Sequence, residues 1–397
     1  MKKYKHYILF FIAYATMFFF GFVDNIKGVA FPLIKMEFGA SYESQGGLVS
    51  FTWFGYVIFC FIASIFLQKF GIKKSVLAGY ILVCLGAIAT LAAPSFWAAT
   101  LTIMIINTGF GFFEVGANAL GTALFKKKAA LLMNLMHFFY GFGAILGPKA
   151  SGLLTGTFNF SWKELYLVII IPGILIAIFI VFTRFNTDSN NKTVNEENKK
   201  PSFITILKNP MVWIFSITIG FMEVVEFGTT NWGALYLQDV YGLDPRTVGA
   251  TFLSFFYVMF TASRLFSGLI IEKAGYMKSL VLSTVSTMLL FFFGFVLGQK
   301  GIWILPITGL FVAILFPTAI AVIMDTFKED APIVSSIIIT LAGAVNGILQ
   351  LSIGFINQYI GEAWGYRSCL LYSVILLLLL FYLIRIREKG SMLKVEN

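Results

Sequence analysis

Long runs of apolar residues alternate with short polar links along the whole chain of 397 residues. There are twelve such runs, most of about 18 to 28 residues, enough for a helix to cross a hydrocarbon core of roughly 30 Å. They lack the period-two alternation of membrane β-strands, and a helix satisfies its own backbone groups in lipid. The pattern predicts an all-α polytopic membrane protein. The predicted spans are 7–36, 46–67, 75–93, 97–124, 129–155, 163–183, 210–238, 246–271, 279–298, 301–325, 332–359 and 366–386.

Composition and charge agree with this reading. Hydrophobic residues make up 58% of the chain and charged residues 12%, against roughly 25% charged residues in soluble domains, which excludes an ordinary soluble enzyme. With both termini in the cytoplasm, 21 of the 29 Lys and Arg lie on the cytoplasmic side, as the positive-inside rule requires. The net charge of +10 therefore implies no nucleic acid partner. We expect a multi-pass, monomeric protein of the inner (cytoplasmic) membrane.

A single long polar stretch, residues 184–208, divides the chain into two sets of six spans. It is typical of a solvated cytoplasmic linker. We predict an N-terminal bundle over 1–183, a C-terminal bundle over 209–387 and a cytoplasmic tail over 388–397.

Short motifs recur between the two halves, which indicates an internal repeat. The residues that recur at an offset of 204 are Lys69, Gly71 and Lys74, matched by Lys273, Gly275 and Lys278. Those that recur at an offset of 200 are Gly143, Ala144 and Gly147, matched by Gly343, Ala344 and Gly347. Each pair alone is explained by close helix packing at small residues, but together they favour a duplication.

Duplicated halves with a solute site near the bilayer midplane are typical of secondary transporters. The chain has no phosphate-binding Gly-x-x-x-x-Gly-Lys-Ser/Thr motif, so nucleotide hydrolysis is not indicated. We expect an ion gradient, of protons or sodium, to drive transport. No metal, cofactor or covalent catalysis is implied, and we do not expect an enzyme.

Further motifs are found in both halves. They are Asp24-Asn25 followed by Pro32; the segment from Gln68 to Gly79; Gly109-Phe-Gly-Phe-Phe-Glu-Val-Gly-Ala-Asn118; Asn134 followed by Gly141 and Gly147-Pro148; Glu226 six residues before Trp232; and Phe316-Pro317-Thr318. With them the chain resembles the major facilitator superfamily and, within it, the fucose, galactose and glucose symporter group, over nearly its whole length.

The resemblance implies proton-coupled uptake of a sugar or similar polyhydroxylated solute by alternating access. It places Glu114 at the acidic position used for proton coupling, Asn118 and Asn134 near the solute, and Arg264 at the cytoplasmic gate. The links that contain Lys69, Gly71 and Lys273 are expected to take part in gating. The chain departs from the fucose permease pattern in two places. Gly28 replaces an acidic residue, and His137 with Tyr140 replaces an amide pair.

Ionisable residues inside a membrane are costly and normally functional. Glu114, near the middle of span 4, is the first candidate for proton coupling, since desolvation raises the proton affinity of a carboxylate. Its alternative is a structural ion pair with Lys149 or Lys27. Asp24, with Asn25 beside it, is the second candidate. Asp24 is placed to bind solute hydroxyls, to carry the coupling ion, or to neutralise Lys27 three residues on.

Span 7 supplies a second polar group. Glu226 and Asn231 offer hydrogen bonds to hydroxyls, and the indole of Trp232 offers a face for a sugar ring. The alternative for Trp232 is a place in the interfacial aromatic belt. Glu223 lies one turn from Glu226, and two carboxylates so placed do not both ionise cheaply. Either one is protonated or a cation lies between them.

His137 titrates nearest to neutral pH, and Tyr140 lies one turn further along span 5. The pair is expected to serve coupling or solute binding, with packing of a polar group as the alternative. The leading hypothesis for the whole chain is a solute–proton symporter. A drug or metabolite efflux carrier of the same fold, and a non-transporting membrane sensor, are the alternatives.

Overall fold

The computed structural model describes residues 2–125, 129–185 and 203–392, and these ranges are helical almost throughout, with no β-strand among them. The α-helices are α1 (Lys2–Asn25), α2 (Lys27–Phe38), α3 (Tyr42–Thr90), α4 (Phe96–Leu124), α5 (Ala129–Gly156), α6 (Trp162–Val168), α7 (Ile170–Phe182), α8 (Phe203–Leu207), α9 (Pro210–Tyr241), α10 (Ala250–Ala274), α11 (Tyr276–Val296), α12 (Gly309–Val312), α13 (Leu315–Phe327), α14 (Ala331–Tyr359) and α15 (Trp364–Met392).

The predicted all-α membrane architecture is confirmed. Within the described ranges, ten helices are long and apolar enough to cross a membrane. One of them, α3, is 49 residues long and contains the second and third predicted spans on either side of Gly71. The fifth predicted span corresponds to α5, which has 28 residues. Every predicted span therefore contains helical structure, and the tenth, 301–325, is interrupted by turns at 302–304 and 313–314.

Glycine explains where two of the links turn. Gly71 has φ 81° and Gly275 has φ 86°, a region that residues with a Cβ rarely adopt. The two positions are the ones predicted to correspond at an offset of 204, so the same backbone device follows span 2 and span 8. The linker is described only at its ends, because residues 186–202 lie outside the described ranges, as do residues 393–397 of the tail.

Two compact units make up the protein. Unit 1 comprises Met1–Glu197 and Gly233–Val258, and unit 2 comprises Asn198–Trp232 and Met259–Asn397. The segment Gly233–Val258 contains the last part of α9 and the first part of α10. It thus packs with the N-terminal helices. The predicted bundles, 1–183 and 209–387, refer to the sequence repeat and stay a prediction.

Small residues allow helices to cross closely in both units, and one crossing in each unit lies near a predicted site residue. In unit 1, a Cβ on Gly21 of α1 would meet the backbone carbonyl of Tyr140 in α5, and Gly143 faces the backbone of α1 in the same way. In unit 2, a Cβ on Gly220 of α9 would lie 2.5 Å from Cγ1 of Val345 in α14. Such contacts bring polar side chains on the paired helices close together.

Candidate functional site

Asp24 is the centre of a polar cluster in unit 1, at the point where span 1 is interrupted between α1 and α2. Lys27 Nζ lies 2.7 Å from Asp24 Oδ1, and the two side chains are 13% and 11% exposed. Tyr140 of α5 donates a hydrogen bond of 2.8 Å to Asp24 Oδ2. The structure therefore contains the predicted Asp24–Lys27 ion pair and joins it to Tyr140. We call Asp24, Lys27 and Tyr140 the Asp24 cluster.

A small cavity of about 10 Å³, room for about one water molecule, adjoins the Asp24 cluster. Its polar lining comes from Asp24, Lys27, Asn107 and Tyr166, and its apolar lining from α1, α2 and α4. Ligand pockets usually measure roughly 300–1,000 Å³, so this cavity is small for a sugar. A solute that binds here requires the cavity to widen.

Glu114 lies on α4 with its side chain partly buried, as the sequence predicts. Asn118, one turn further on, donates a hydrogen bond of 2.8 Å to Glu114 Oε1. The cations named as alternative partners are engaged elsewhere: Lys27 with Asp24, and Lys149 with the hydroxyl of Thr251 at 3.0 Å. Glu114 thus has an amide partner, which tolerates both protonation states of a carboxyl group.

Two tyrosines of unit 1 lie near the predicted coupling carboxylates. Tyr56 of α3 is close enough to Glu114 and to Tyr140 to interact with both electrostatically, and Tyr140 is bonded to Asp24. The two carboxylates therefore belong to one polar region. Tyr56 is not among the residues predicted from the sequence, because a tyrosine in an apolar span carries no charge that marks it.

The remaining unit 1 candidates occupy different settings. Asn25 is buried and donates to the carbonyl of Gly21 at 2.8 Å, within its own helix. Asn134 is exposed, and His137 is partly buried on α5 one turn before Tyr140. Asn25 is thus committed to the backbone, whereas His137 and Tyr140 share a face of α5, as the sequence predicts.

Unit 2 contains the predicted carboxylate pair on α9. Glu223 is buried, Glu226 is partly exposed, and the two are close enough to interact electrostatically. Among the residues described, Glu223 Oε2 has no hydrogen-bond partner, and neither has the buried Oδ1 of Asn231. The pair is therefore present as predicted, and one of its carboxylate oxygens is unsatisfied.

Trp232 is buried rather than placed at an exposed belt position. Its Nε1 donates a hydrogen bond of 2.9 Å to Oε1 of Gln350 in α14, and Gln350 Nε2 donates to Oδ1 of Asn346 at 3.4 Å. We call Trp232, Gln350 and Asn346 the amide chain. Gln350 and Asn346 are not among the residues predicted from the sequence, although two amides four residues apart in an apolar helix are a usable signal.

The predicted gating residues are found at the links and on α10. Lys69 is exposed and lies 5.4 Å from the ring of Phe70, and Lys273 is exposed before Gly275. The guanidinium of Arg264 stacks 4.4 Å from the ring of Phe260. In the part of the chain that is described, the buried Nε of Arg264 has no hydrogen-bond partner.

A further polar cluster in unit 1 was not predicted. Asp239, in the Gly233–Val258 segment, accepts a hydrogen bond of 2.7 Å from Tyr42 and lies 3.8 Å from Lys35 Nζ. Lys35 also lies 4.0 Å from the centre of the Tyr42 ring. These contacts fasten the end of α9 to the end of α2 and the start of α3. By the predicted topology, all three residues are near the outer surface.

Comparison with known proteins agrees with this architecture. The chain is 24% identical to the L-fucose-proton symporter of Escherichia coli (strain K12), over 90% of this chain and 89% of that protein. It is 22% identical to a putative glucose/galactose transporter of Helicobacter pylori (strain ATCC 700392 / 26695), over 77% and 78%. The structure of the nucleoside transporter NupG is similar in fold, with a TM-score of 0.73, 13% identity and coverage of 96% and 99%.

The family comparison gives the assignment that the resemblance implied. Residues 13–349 match the family described as Major Facilitator Superfamily, which covers most of both halves and the linker. The chain is therefore a multi-pass membrane transporter rather than an enzyme, and it belongs to the Major Facilitator Superfamily.

Proposed function

We propose that this protein takes up a sugar, or a similar polyhydroxylated solute, together with protons. The observation that carries the proposal is the polar region of unit 1, where Tyr140 is bonded to Asp24 and Tyr56 lies close enough to Tyr140 and Glu114 to interact with both electrostatically. Two carboxylates held inside a membrane protein are costly, and proton exchange gives them a use. The similarity to an L-fucose-proton symporter over 90% of the chain supports the same assignment.

Each residue has a chemical role in this proposal. Glu114 carries the coupling proton, because its amide partner Asn118 can donate to the carboxylate or accept from the carboxylic acid. Asp24 binds solute hydroxyls once Lys27 and Tyr140 shift their bonds, and the adjoining cavity widens to admit the ring. A polar lining of this kind suits a hydrophilic solute better than the amphipathic compounds of a drug efflux carrier.

The setting of the protein is part of the proposal. We place it in the inner membrane with both termini in the cytoplasm, as the distribution of Lys and Arg suggests. We expect it to work as a monomer whose two repeated halves alternate the access of one solute site. Protons rather than sodium are proposed as the coupling ion, because the chain is similar to an L-fucose-proton symporter over 90% of its length.

The test is transport in proteoliposomes with radiolabelled L-fucose, D-galactose, D-glucose and D-xylose. Purified protein is reconstituted, and both uptake under an imposed pH gradient and counterflow without a gradient are measured. We expect at least one sugar to be accumulated when the outside is acidic. An equal sodium gradient in place of the pH gradient is expected to give no accumulation.

Glu114→Gln separates coupling from binding. The amide removes the titratable group and keeps the shape, so gradient-driven accumulation should fall to background while counterflow persists. Glu362→Gln, at an exposed position, is the matched control and should behave as the wild type. If Glu114→Gln still accumulates sugar, Glu114 is not the coupling residue. If the wild type moves none of the four sugars, the proposed function is wrong.

A further inference from the structure

The amide chain of unit 2 ends in a buried donor with nothing to bind. Trp232, Gln350 and Asn346 are 1%, 1% and 0% exposed, and hydrogen bonds lead from the indole to Gln350 and from Gln350 to Asn346. Over the described residues, Asn346 Nδ2 has no hydrogen-bond partner. Buried amides are normally satisfied, and the interior of a membrane offers no bulk water instead. The donor thus lacks the partner that its position requires.

A buried acceptor without a partner lies on the facing helix. Glu223 is 7% exposed, and its Oε2 is the unsatisfied atom. Helices α9 and α14 meet where Gly220 lies against Val345, and again where Trp232 donates to Gln350. Along α9, Glu223 lies between these two contacts. Along α14, Asn346 lies between them, so the donor and the acceptor belong to one stretch of one helix pair.

A hydroxyl group fits this pair of atoms. It accepts a hydrogen bond from an amide N–H and donates its own proton to a carboxylate, so it offers both of the bonds that these two atoms lack. An apolar solute satisfies neither atom, and a carboxylate-bearing solute is repelled by Glu223 and the nearby Glu226. The chemistry of the site therefore favours a neutral polyhydroxylated compound.

We propose that Asn346 and Glu223 form a hydroxyl-binding subsite that determines which sugar the transporter accepts. Gln350 and Trp232 are positioning residues, since Gln350 fixes the orientation of the Asn346 amide and Trp232 fixes Gln350. This subsite rests on the proposed function and extends it to unit 2. Because these side chains are buried, a solute reaches them when α9 and α14 part at this level.

The experiment combines variants with deoxy sugars in the counterflow assay. The probes are whichever of L-fucose, D-galactose, D-glucose and D-xylose the wild type transports best, and its monodeoxy derivatives. In the wild type, loss of the hydroxyl that reaches the subsite should raise the sugar concentration at half-saturation by about 10- to 100-fold. This is the range for a hydrogen bond to a charged group. In Asn346→Ala the half-saturation concentration of the parent sugar should rise by a similar factor. That of the deoxy derivative should be no higher than that of the parent sugar in the same variant.

This thermodynamic cycle distinguishes contact with the solute from a structural role. A purely structural residue would weaken all sugars alike and leave the penalty for the missing hydroxyl unchanged, and that result would overturn the proposal. Gln358→Ala, at an exposed position of the same helix, is the matched control and should preserve the penalty. Gln350→Ala is expected to reduce the penalty without abolishing it.

Glu223→Gln provides a second route if Asn346→Ala does not reach the membrane. The two side chains have the same shape, and the amide nitrogen cannot accept the proton of the hydroxyl. The penalty for the same deoxy position, meaning the ratio of the half-saturation concentrations of the deoxy and parent sugars, should then fall at least about fivefold. This is expected for one lost charged hydrogen bond. An unchanged penalty in Glu223→Gln, or no deoxy discrimination in a wild type that transports sugar, rejects the subsite. Absence of all sugar transport in the wild type rejects the proposed function instead.

Discussion

Asp24 in unit 1 and Glu223 in unit 2 occupy comparable places on their helices, but they differ in whether their carboxylate oxygens have partners. Each lies a few residues from the glycine at which its helix crosses a partner helix, Gly21 in α1 and Gly220 in α9. Asp24 has a cation at 2.7 Å and a tyrosine at 2.8 Å. Glu223 has a carboxylate oxygen for which the described structure provides no partner.

The difference separates the helix crossing, which the two units share, from the polar groups that lie beside it. The crossing of paired helices at small residues is common to both units, because it depends on backbone approach. The polar groups on that scaffold differ. In unit 1 Asp24 is paired with Lys27, whereas in unit 2 Glu223 Oε2 and Asn346 Nδ2 have no partner among the described residues. The comparison predicts that similar substitutions will have different effects in the two units.

The largest effect is expected from Asp24→Asn. This change leaves the buried ammonium of Lys27 without its counter-charge, and breaking a buried ion pair costs about 3–5 kcal/mol of unfolding free energy. Thermal unfolding of the purified protein in detergent measures the loss. The double variant Asp24→Asn/Lys27→Met should recover most of it. A single variant as stable as the wild type would show that the pair is not a structural element of unit 1.

Tyr140→Phe tests the second bond to Asp24. It removes a hydrogen bond to a carboxylate, which contributes about 1.5–3 kcal/mol, while the ring keeps its edge contact with Phe20. The same thermal assay measures the change, with Tyr382→Phe at an exposed position as the control. An equal effect of the two substitutions would contradict the assignment of Tyr140 to the Asp24 cluster.

Gly21→Ala and Gly220→Ala compare the helix crossings themselves. At Gly21 the added methyl group meets a backbone carbonyl, which cannot turn aside, and overpacking of this kind costs about 1–3 kcal/mol. At Gly220 the nearest atoms are Cγ1 and Cβ of Val345, at 2.5 and 2.6 Å, and the nearest backbone atom, the carbonyl oxygen of Ala342, is further away at 3.0 Å, so the overlap with backbone is smaller. We expect Gly21→Ala to destabilise the protein about twice as much. Equal losses would mean that both crossings rest on backbone contact.

The sequence predicts the fold well and the site in part. Apolar length and the distribution of Lys and Arg fix the spans, because a membrane imposes both rules on every segment. Glu114 and Asp24 are found by their charge, and Lys27 is correctly predicted as the ion-pair partner of Asp24, whereas the bond from Tyr140 to Asp24 is not predicted. Asn346 and Asp239 are missed for different reasons. Asn346 is uncharged in an apolar helix, and Asp239 lies at a span end where a charge is unremarkable.

Glu223→Gln should have the smallest effect on stability and is the sharpest test of the comparison. It is the same acid-to-amide change as Asp24→Asn, at a side chain that is as well buried. Replacing an unsatisfied buried carboxylate removes a desolvation cost and breaks no hydrogen bond to Oε2 among the described residues, so the stability should be unchanged or slightly higher. The thermal unfolding of Glu223→Gln and Asp24→Asn, measured side by side, decides the matter. A loss at Glu223 as large as the loss at Asp24 would mean that Glu223 already has an internal partner, and unit 2 would then resemble unit 1 after all.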